Sequence, residues 1–567
     1  MKKKLKLHDV PKIDSIQEMV LNSCTNHKDK LALEDLQNYP INRATYSDLK
    51  ENILKFGKVL QGLGLKERSH VALIGENRVQ WSISYLTLMS FNYVVVPIDK
   101  NLTESEILNI IHESDSEAII FSNTYSNVLS ENKSILKSLR FYINMDESSE
   151  ENNFLSMAEL IEQQEIGDTT ILPKINPDDL AEIIFTSGSL GRAKGVMLSQ
   201  KNLATNLMDM VSMLMMYPSD RFLSVLPIHH TYECTCGMLC PMYVGASVHY
   251  ARSLKTVAED MQKVKATIVL GVPLLFDKMF KKVMKAINED KKKAFLVPKL
   301  IKITNLTQKL GAKGLKKKIF NELQEKFGGA IRIFIVGGAA ADPVVAEGLQ
   351  GFGFSFLQGY GLTETSPILA VNRIDEFKND SAGLSLPSVE LKIIDPDENG
   401  VGEIYAKGNS VMLGYYKNKE QTDDTFENGW FKTGDLGYID NDGFLHISGR
   451  KKNVIISNSG KNVFPEEIED QLNHSPYIQE CLVYGEKDQK QNEIIAAQIF
   501  VDTEAFLLMS QEKNVKISDN LIHETISIEV DRINKKLASY KRIVRFHIRD
   551  TEFEKTTTQK IKRYLIK

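Results

Sequence analysis

The chain has 567 residues, 42% hydrophobic and 25% charged, the make-up of an ordinary folded protein with too much apolar surface to stay disordered. At roughly 150 residues per domain it is too long for one compact core and suggests about four. Only 34 glycines and 5 cysteines exclude collagen-like and disulfide-scaffold chains, and 70 Lys and Arg against 74 Asp and Glu, a net charge of −4, exclude the global basic signature of a nucleic-acid binder.

The start, Met1 to Lys6, is positively charged but has no apolar stretch behind it, so no secretory leader is expected. An odd number of cysteines (Cys24, Cys234, Cys236, Cys240 and Cys481) points to reduced thiols and a cytoplasmic setting. No apolar run reaches the roughly 18 residues of a membrane helix. The longest, Leu86 to Ile98, reads as a helix end followed by a buried strand.

From residue 70 short β-rich runs alternate with helical periodicity. His70–Gly75 reads as a strand, Val79–Met89 as a helix, Tyr93–Val96 as a buried strand, Glu104–His112 as a helix and Ala118–Phe121 as a strand. The acid-rich stretch Asp146–Asn153 reads as a solvated loop. Further strands are expected at Ala181–Thr186, Phe222–Leu226, Ala246–Tyr250 and Ile331–Val336. Strands alternating with helices predict an α/β fold of parallel sheets covered on both faces.

Between Lys278 and Lys326 lie 15 lysines and 4 acids, a local excess of 11 positive charges. Two readings stand: a solvated lysine face on two helices, or a surface for an anionic partner such as a lipid headgroup layer or an acidic carrier protein.

After Asp380 short alternating runs broken by Gly, Asn, Asp and Pro (Val389–Ile394, a turn at Asp395–Gly400, Gly402–Ala406) predict a small antiparallel β-unit. Past Gly449 the pattern is mixed: a helix over Pro465–Asn473, strands at Cys481–Tyr484 and Ile494–Phe500, and a long helix over Thr525–Leu537. The expected division is an N-terminal domain, residues 1–449, and a smaller, mobile α+β C-terminal domain, residues 450–567.

The strongest local signal is TSGSLGRAKG, Thr186–Gly195, directly after a strand. Glycines, hydroxyls and a lysine there suit a loop that wraps phosphates with backbone N–H groups. It is not a Walker A loop, because Ala193 stands where glycine is required and Gly195 where the Mg²⁺-binding hydroxyl would follow Lys194, which excludes an ordinary P-loop ATPase. A structural Gly/Ser turn is the other reading. Cys234, Cys236 and Cys240 beside His229 and His230 do not follow zinc-ligand spacing and read as small core residues.

The phosphate-type loop resembles the signature T-S-G-[ST]-[TS]-G-x-P-K-G of the adenylate-forming superfamily, which includes acyl-CoA synthetases, with Leu190 for a hydroxyl and Ala193 for the proline. Further segments resemble that family in its own order: LPIHHTYE (Leu226–Glu233), GVP (Gly271–Pro273), VGGA (Val336–Ala339), QGYGLTE (Gln358–Glu364), WFKTGDL (Trp430–Leu436), GRKKN (Gly449–Asn453) and KTTTQKI (Lys555–Ile561). Two departures stand out: Asn453 where many members carry Asp, and Glu554 and Gln559 in place of a proline and a glycine. The matches span about Tyr46 to Lys560, nearly the whole chain.

The resemblance implies the following roles. ATP phosphates would be wrapped by Thr186, Ser187, Gly188, Ser189, Gly191 and Lys194. Gly338, Ala339, Gly359, Tyr360 and Gly361 would pass or stack on adenine, Asp435 would accept from the ribose hydroxyls, and Arg450 would donate to ribose or phosphate. Thr363 would contact the α-phosphate, Glu364 would hold Mg²⁺, His230 would lie near the acyl group, and Lys560 would bridge the substrate carboxylate and α-phosphate. Lys452 would be the hinge of a rotation that admits a thiol, with Gly460 near the newly formed face. Among family branches the chain resembles long-chain fatty acyl-CoA synthetases, with ATP, a fatty acid and coenzyme A as substrates. An acyl-carrier-protein ligase or acyl-AMP ligase is the alternative, and a catalytically silent acyl or nucleotide sensor a third. A peripheral position at a membrane through residues 278–326 is compatible with each.

Overall fold

The computed structural model describes residues 7–37, 39, 42–165, 172–186, 193–309, 315–457, 461–488, 491, 493–556 and 560–566. The chain divides into two compact units: Met1–Leu391 with Ala406–Phe431, and Lys392–Tyr405 with Lys432–Lys567.

The first unit holds two sheets. One runs in the order Gly414–Tyr415, Lys194–Ser199, Leu180–Thr186, Val94–Ile98, His70–Ile74, Ala118–Phe121, Phe141–Asn144, Leu155–Ser156. Its middle is parallel and only its Lys194 end is antiparallel. The second runs from Gly383–Ser385 through Ile368–Val371, Ser355–Gly361, Ile333–Val336, Ile268–Gly271, Arg221–Ser224 and Ser247–Tyr250 to Leu31–Asp35 and Arg43–Thr45. It too is parallel at its centre, from Ser355–Gly361 to Leu31–Asp35. The α/β reading therefore holds.

The Leu86–Ile98 run is resolved as expected: helix Val79–Ser90 and strand Val94–Ile98 are buried at every residue. Local chemistry sets the helix starts. Thr103 and Glu106 cap helix Glu104–Glu113 reciprocally, and Ser199 and Asn202 do the same for Gln200–Met213, each pair satisfying N–H groups that the first turn leaves open.

Two expectations need correction. Asp146 is not part of a solvated loop: its carboxylate takes both arms of the Arg78 guanidinium, at 2.7 and 3.0 Å, and Arg78 is itself only 1% exposed. A buried guanidinium requires such a partner. The last long helix runs over Asp519–Asn534 rather than Thr525–Leu537. Ser518 starts it by accepting the Leu521 N–H, a side-chain cap that apolar periodicity does not register. Asn534 ends it by bonding both backbone groups of Ile543 at 2.9 Å.

The first core also contains a carboxyl. Glu182 lies on the strand Leu180–Thr186, 1% exposed, where the Tyr85 hydroxyl donates to it at 3.3 Å. Burial pushes its pKa up to about 8, against the ordinary 4.5, with the Tyr85 bond opposing, and buried Glu233 is likewise raised to about 8. In the unfolded chain both ionise near pH 4.5, so the stability these two groups contribute falls as pH rises from about 5 to about 8, and their contribution falls no further above that. Glu182→Gln is expected to make this decline shallower, by up to about 1 kcal/mol per pH unit. Glu233 preserves part of the slope. Urea unfolding midpoints of parent and variant across pH 5–8 measure it; parallel profiles would refute a neutral buried Glu182.

The second unit contains, from Lys432 on, the hairpin whose strands are Trp430–Ile439 and Phe444–Arg450, and a three-stranded sheet of Ile478–Lys487, Glu493–Val501 and Ile543–Arg549. Helices Pro465–Asn473, Thr503–Lys513 and Asp519–Asn534 bury Ile468, Phe506 and Ile526 in a core with Val483 and Ile499. Its last segment is tied down by ion pairs of Lys555 with Glu480 and of Arg563 with Glu469. Among the described residues of the chain no helix is long and apolar enough to cross a membrane.

Candidate functional site

The strands Leu180–Thr186 and Lys194–Ser199 pair antiparallel, placing Thr186 opposite Lys194 at the mouth of the phosphate-type loop. Ser187, Gly188, Ser189 and Gly191 lie outside the described residues. The short strand Gly414–Tyr415 pairs with Met197 and Val196, which carries Tyr415 to Lys194: the ammonium stands 5.2 Å from the centre of the ring. The Tyr415 hydroxyl in turn donates to Glu364 Oε1 at 3.0 Å. Burial, and secondly the charge of Glu364, push the Tyr415 phenol well above its ordinary pKa, so it stays a donor. Lys194, Tyr415 and Glu364 thus form one cluster from segments far apart in the chain.

Glu364 and Thr363 occupy a single 3₁₀ turn, Thr363–Thr365, directly after the strand Ser355–Gly361. The turn is pinned by Thr365, whose hydroxyl donates to the Pro367 carbonyl at 2.6 Å, and by the Met412 N–H on the Glu364 carbonyl at 2.9 Å. Gly359, Tyr360 and Gly361 end the strand, half-buried, opposite Val371, Ala370 and Ile368. A Cβ at Gly361 would come within 1.8 Å of the Pro367 carbonyl oxygen, so this position admits only glycine.

Gly338 and Ala339 follow the strand Ile333–Val336 and are exposed, Gly338 with φ +84°. The Tyr232 ring packs under Gly337, leaving no room for a Cβ, and its hydroxyl donates to the Ile335 carbonyl at 3.1 Å. The Tyr232 N–H also donates to His230 Nδ1 at 3.2 Å, which leaves the proton of the neutral ring on Nε2. His230 is half-buried, whereas His229 beside it is buried, with Nε2 3.5 Å from Asp99 Oδ2. Burial lowers the His229 pKa, Asp99 opposing and Lys100 assisting. The three neighbouring cysteines are buried, Cys234 and Cys236 in the π-helical stretch Tyr232–Leu239 and Cys240 at the start of the α-helix that follows, and burial raises the Cys234 thiol well above its ordinary range.

The second unit brings together three predicted residues. Asp435 and Arg450 face each other across the hairpin, with Arg450 Nε 2.7 Å from Asp435 Oδ1. Asp435 is 3% exposed, and its backbone N–H donates to the Thr433 hydroxyl at 3.1 Å. The charges of both act on Lys560, whose carbonyl accepts the Thr556 N–H at 2.8 Å. Lys560 is exposed as a residue, yet desolvation of its ammonium and then the like charge of Arg450 push its pKa below the ordinary lysine value, Asp435 opposing. Gln559 and Gly460 lie outside the described residues.

Lys452 is exposed in the one-turn helix Lys451–Asn453. Its neighbours are anchored: Lys451 to Glu403 at 2.6 Å and Asn453 to Glu466 at 2.7 Å. The Asn453 departure has a local reason, since an aspartate there would set two carboxylates against each other.

A carboxylate oriented by a neutral hydroxyl donor, as Glu364 is, suits Mg²⁺, a hard cation that takes oxygen ligands and keeps waters and phosphate oxygens beside one or two carboxylates. Sequence reasoning missed Tyr415, because what marks it is strand pairing with Val196, more than two hundred residues away.

Residues 20–416 match the family model described as AMP-binding enzyme, and residues 452–566 that of the AMP-binding enzyme C-terminal domain. A long-chain-fatty-acid–CoA ligase of Mycobacterium bovis is 27% identical over 543 residues, 89% of this chain and 87% of that protein. A long-chain-fatty-acid–[acyl-carrier-protein] ligase of Arabidopsis thaliana is 28% identical over 561 residues, 85% of this chain and 76% of that protein. Among solved structures, an anthranilate CoA ligase in complex with anthranoyl-AMP matches with a TM-score of 0.77 at 21% identity, covering 98% of this chain and 97% of that one.

Proposed function

The chain belongs to the AMP-binding enzyme family, and on that premise we propose that it activates a long-chain fatty acid with ATP and passes the acyl group to coenzyme A. The coarser statement, an adenylate-forming acyl ligase, rests on the family itself. The observation that carries the chemistry is the ion pair of Asp435 and Arg450, an acceptor for ribose hydroxyls beside a donor, with the charges of both acting on the ammonium of Lys560.

A carboxylate is a poor electrophile and must first gain a leaving group. One of its oxygens attacks the α-phosphorus of ATP, the bond from that phosphorus to the bridging oxygen breaks, and pyrophosphate leaves with the electron pair. The two reacting groups are both anions, repelling by about 4 kcal/mol at ~4 Å and an effective dielectric of ~20. Lys560 offsets that repulsion and neutralises charge that builds on the α-phosphate. Lys194 and Thr186 meet the outer phosphates, Glu364 would hold Mg²⁺ through an oxygen that Tyr415 orients, and Tyr360 lays its ring against adenine. Bound Mg²⁺ supplies charge neutralisation on the phosphates. In the second step the thiolate of coenzyme A attacks the acyl carbon and AMP departs.

The long-chain assignment is supported by the relatives, which carry that name over most of both chains. The relative named for acyl-carrier protein keeps that acceptor as a second reading. Pyrophosphate release with acetate, benzoate or palmitate, each with and without coenzyme A, tests both. Turnover with palmitate that requires coenzyme A is the expected result. A palmitate burst that only carrier protein turns over would favour the second reading, and no release with any acid would refute ligase activity.

A further inference from the structure

The lysine-rich segment is held by the helix Pro273–Asn288, whose Phe276 is buried, and continues into the helix Lys291–Lys309. Val297, Leu300 and Ile301 pack this second helix on the core, and Thr304 beside them is 1% exposed. At 100° per residue these four share one side.

The opposite side has a different composition. Phe295, Leu296, Ile303 and Leu306 point outward, 63%, 49%, 54% and 61% exposed. Between them on the same arc lie the exposed Lys291, Lys292, Lys299 and Lys302. No acid occurs from Lys291 to Lys309. The Lys299 ammonium sits 3.5 Å from the centre of the Phe295 ring, so cation and apolar group share one patch. A merely solvated lysine face would not hold four large apolar side chains out in water, each costing roughly 1.5–3 kcal/mol relative to burial.

We propose that this outward face of the helix Lys291–Lys309 docks on an anionic lipid surface, with Phe295, Leu296, Ile303 and Leu306 entering the acyl boundary and the lysines reaching the headgroup phosphates. Apolar side chains interleaved with lysines on a convex helix fit a bilayer interface, where long lysine stems lie along the apolar layer and their ammonium groups stay in water. The charge distribution favours the same orientation. The whole chain is net −4 while residues 278–326 carry 15 lysines and 4 acids, so the rest of the surface is repelled by the layer that attracts this patch.

The test is sedimentation of the full-length protein with vesicles of phosphatidylglycerol and phosphatidylcholine, and with phosphatidylcholine alone. The expected result is binding to the anionic vesicles that weakens with salt. The triple variant Lys292→Gln, Lys299→Gln, Lys302→Gln should lower the partition about 100-fold, at about fivefold per lysine. The double variant Phe295→Ser, Leu306→Ser should lower it as well, with thermal unfolding unchanged in both because every substituted side chain is exposed. Failure of the parent to sediment with anionic vesicles at low salt would overturn the proposal. So would unaltered binding of the Phe295 and Leu306 variant, which would mean adsorption without insertion, or retention on immobilised acyl-carrier protein with none on vesicles.

Discussion

Lys560→Ala is expected to slow adenylate formation by about 10²–10³ while leaving acyl transfer from a supplied acyl-adenylate to coenzyme A near the parent rate. The asymmetry follows from where charge meets charge. Only the first step brings a carboxylate onto a phosphate, so only that step needs the ammonium. The pH dependence is distinctive too. Desolvation and the charge of Arg450 hold the Lys560 ammonium below the ordinary lysine pKa of 10.5, so adenylation in the parent should fall on the alkaline side earlier than an unperturbed lysine would allow. That limb should vanish in Lys560→Ala and move to higher pH in Lys560→Arg, whose guanidinium does not deprotonate in this range. ATP–pyrophosphate exchange measures the first step and single-turnover transfer the second. An equal loss in both steps would mean that Lys560 supports the fold of the unit rather than the reaction.

What the sequence makes legible here is what is local. The strands His70–Ile74 and Ala118–Phe121 announce themselves by short apolar runs, and helix Pro465–Asn473 by a proline start and an apolar stripe. The segment Gln358–Glu364 is legible for a related reason: Gly361 is fixed by a carbonyl that approaches where a side chain would be, and the turn holding Thr363 and Glu364 takes part of its bonding from its own neighbours, the Leu362 N–H on the Thr365 hydroxyl and that hydroxyl on the Pro367 carbonyl.

What escapes is the product of distant pairing. Tyr415 gains its place beside Lys194 and Glu364 through a strand register that no window of residues contains. Glu182 is buried together with its neighbours on both sides, and Tyr85 of helix Val79–Ser90 donates to it, yet nothing in the run Leu180–Thr186 distinguishes it from a solvent-facing acid. The lysines of 278–326 are countable from composition, but which side of their helix packs on the core and which apolar residues stand outside it are not.

Asp435→Asn should raise the KM for ATP about 10²-fold, because an ionised acceptor of ribose hydroxyls contributes roughly 1.5–3 kcal/mol per hydrogen bond and its amide replacement keeps the shape but not the charge. A second effect separates this from general damage. Asp435 is the anion that opposes the downward shift of Lys560, so removing it should move the alkaline limb of adenylation to still lower pH. Arg450→Ala should move the same limb the other way, since the like charge that depresses the ammonium is gone. The two partners sit 2.7 Å apart and would be expected to fail together if they served only to brace the hairpin. Opposite displacements of one pH limb are not a result that bracing can produce. Rate profiles of ATP–pyrophosphate exchange from pH 6 to 10 for the parent and both variants decide it, and displacement of both limbs in the same direction would remove Lys560 from the assigned role.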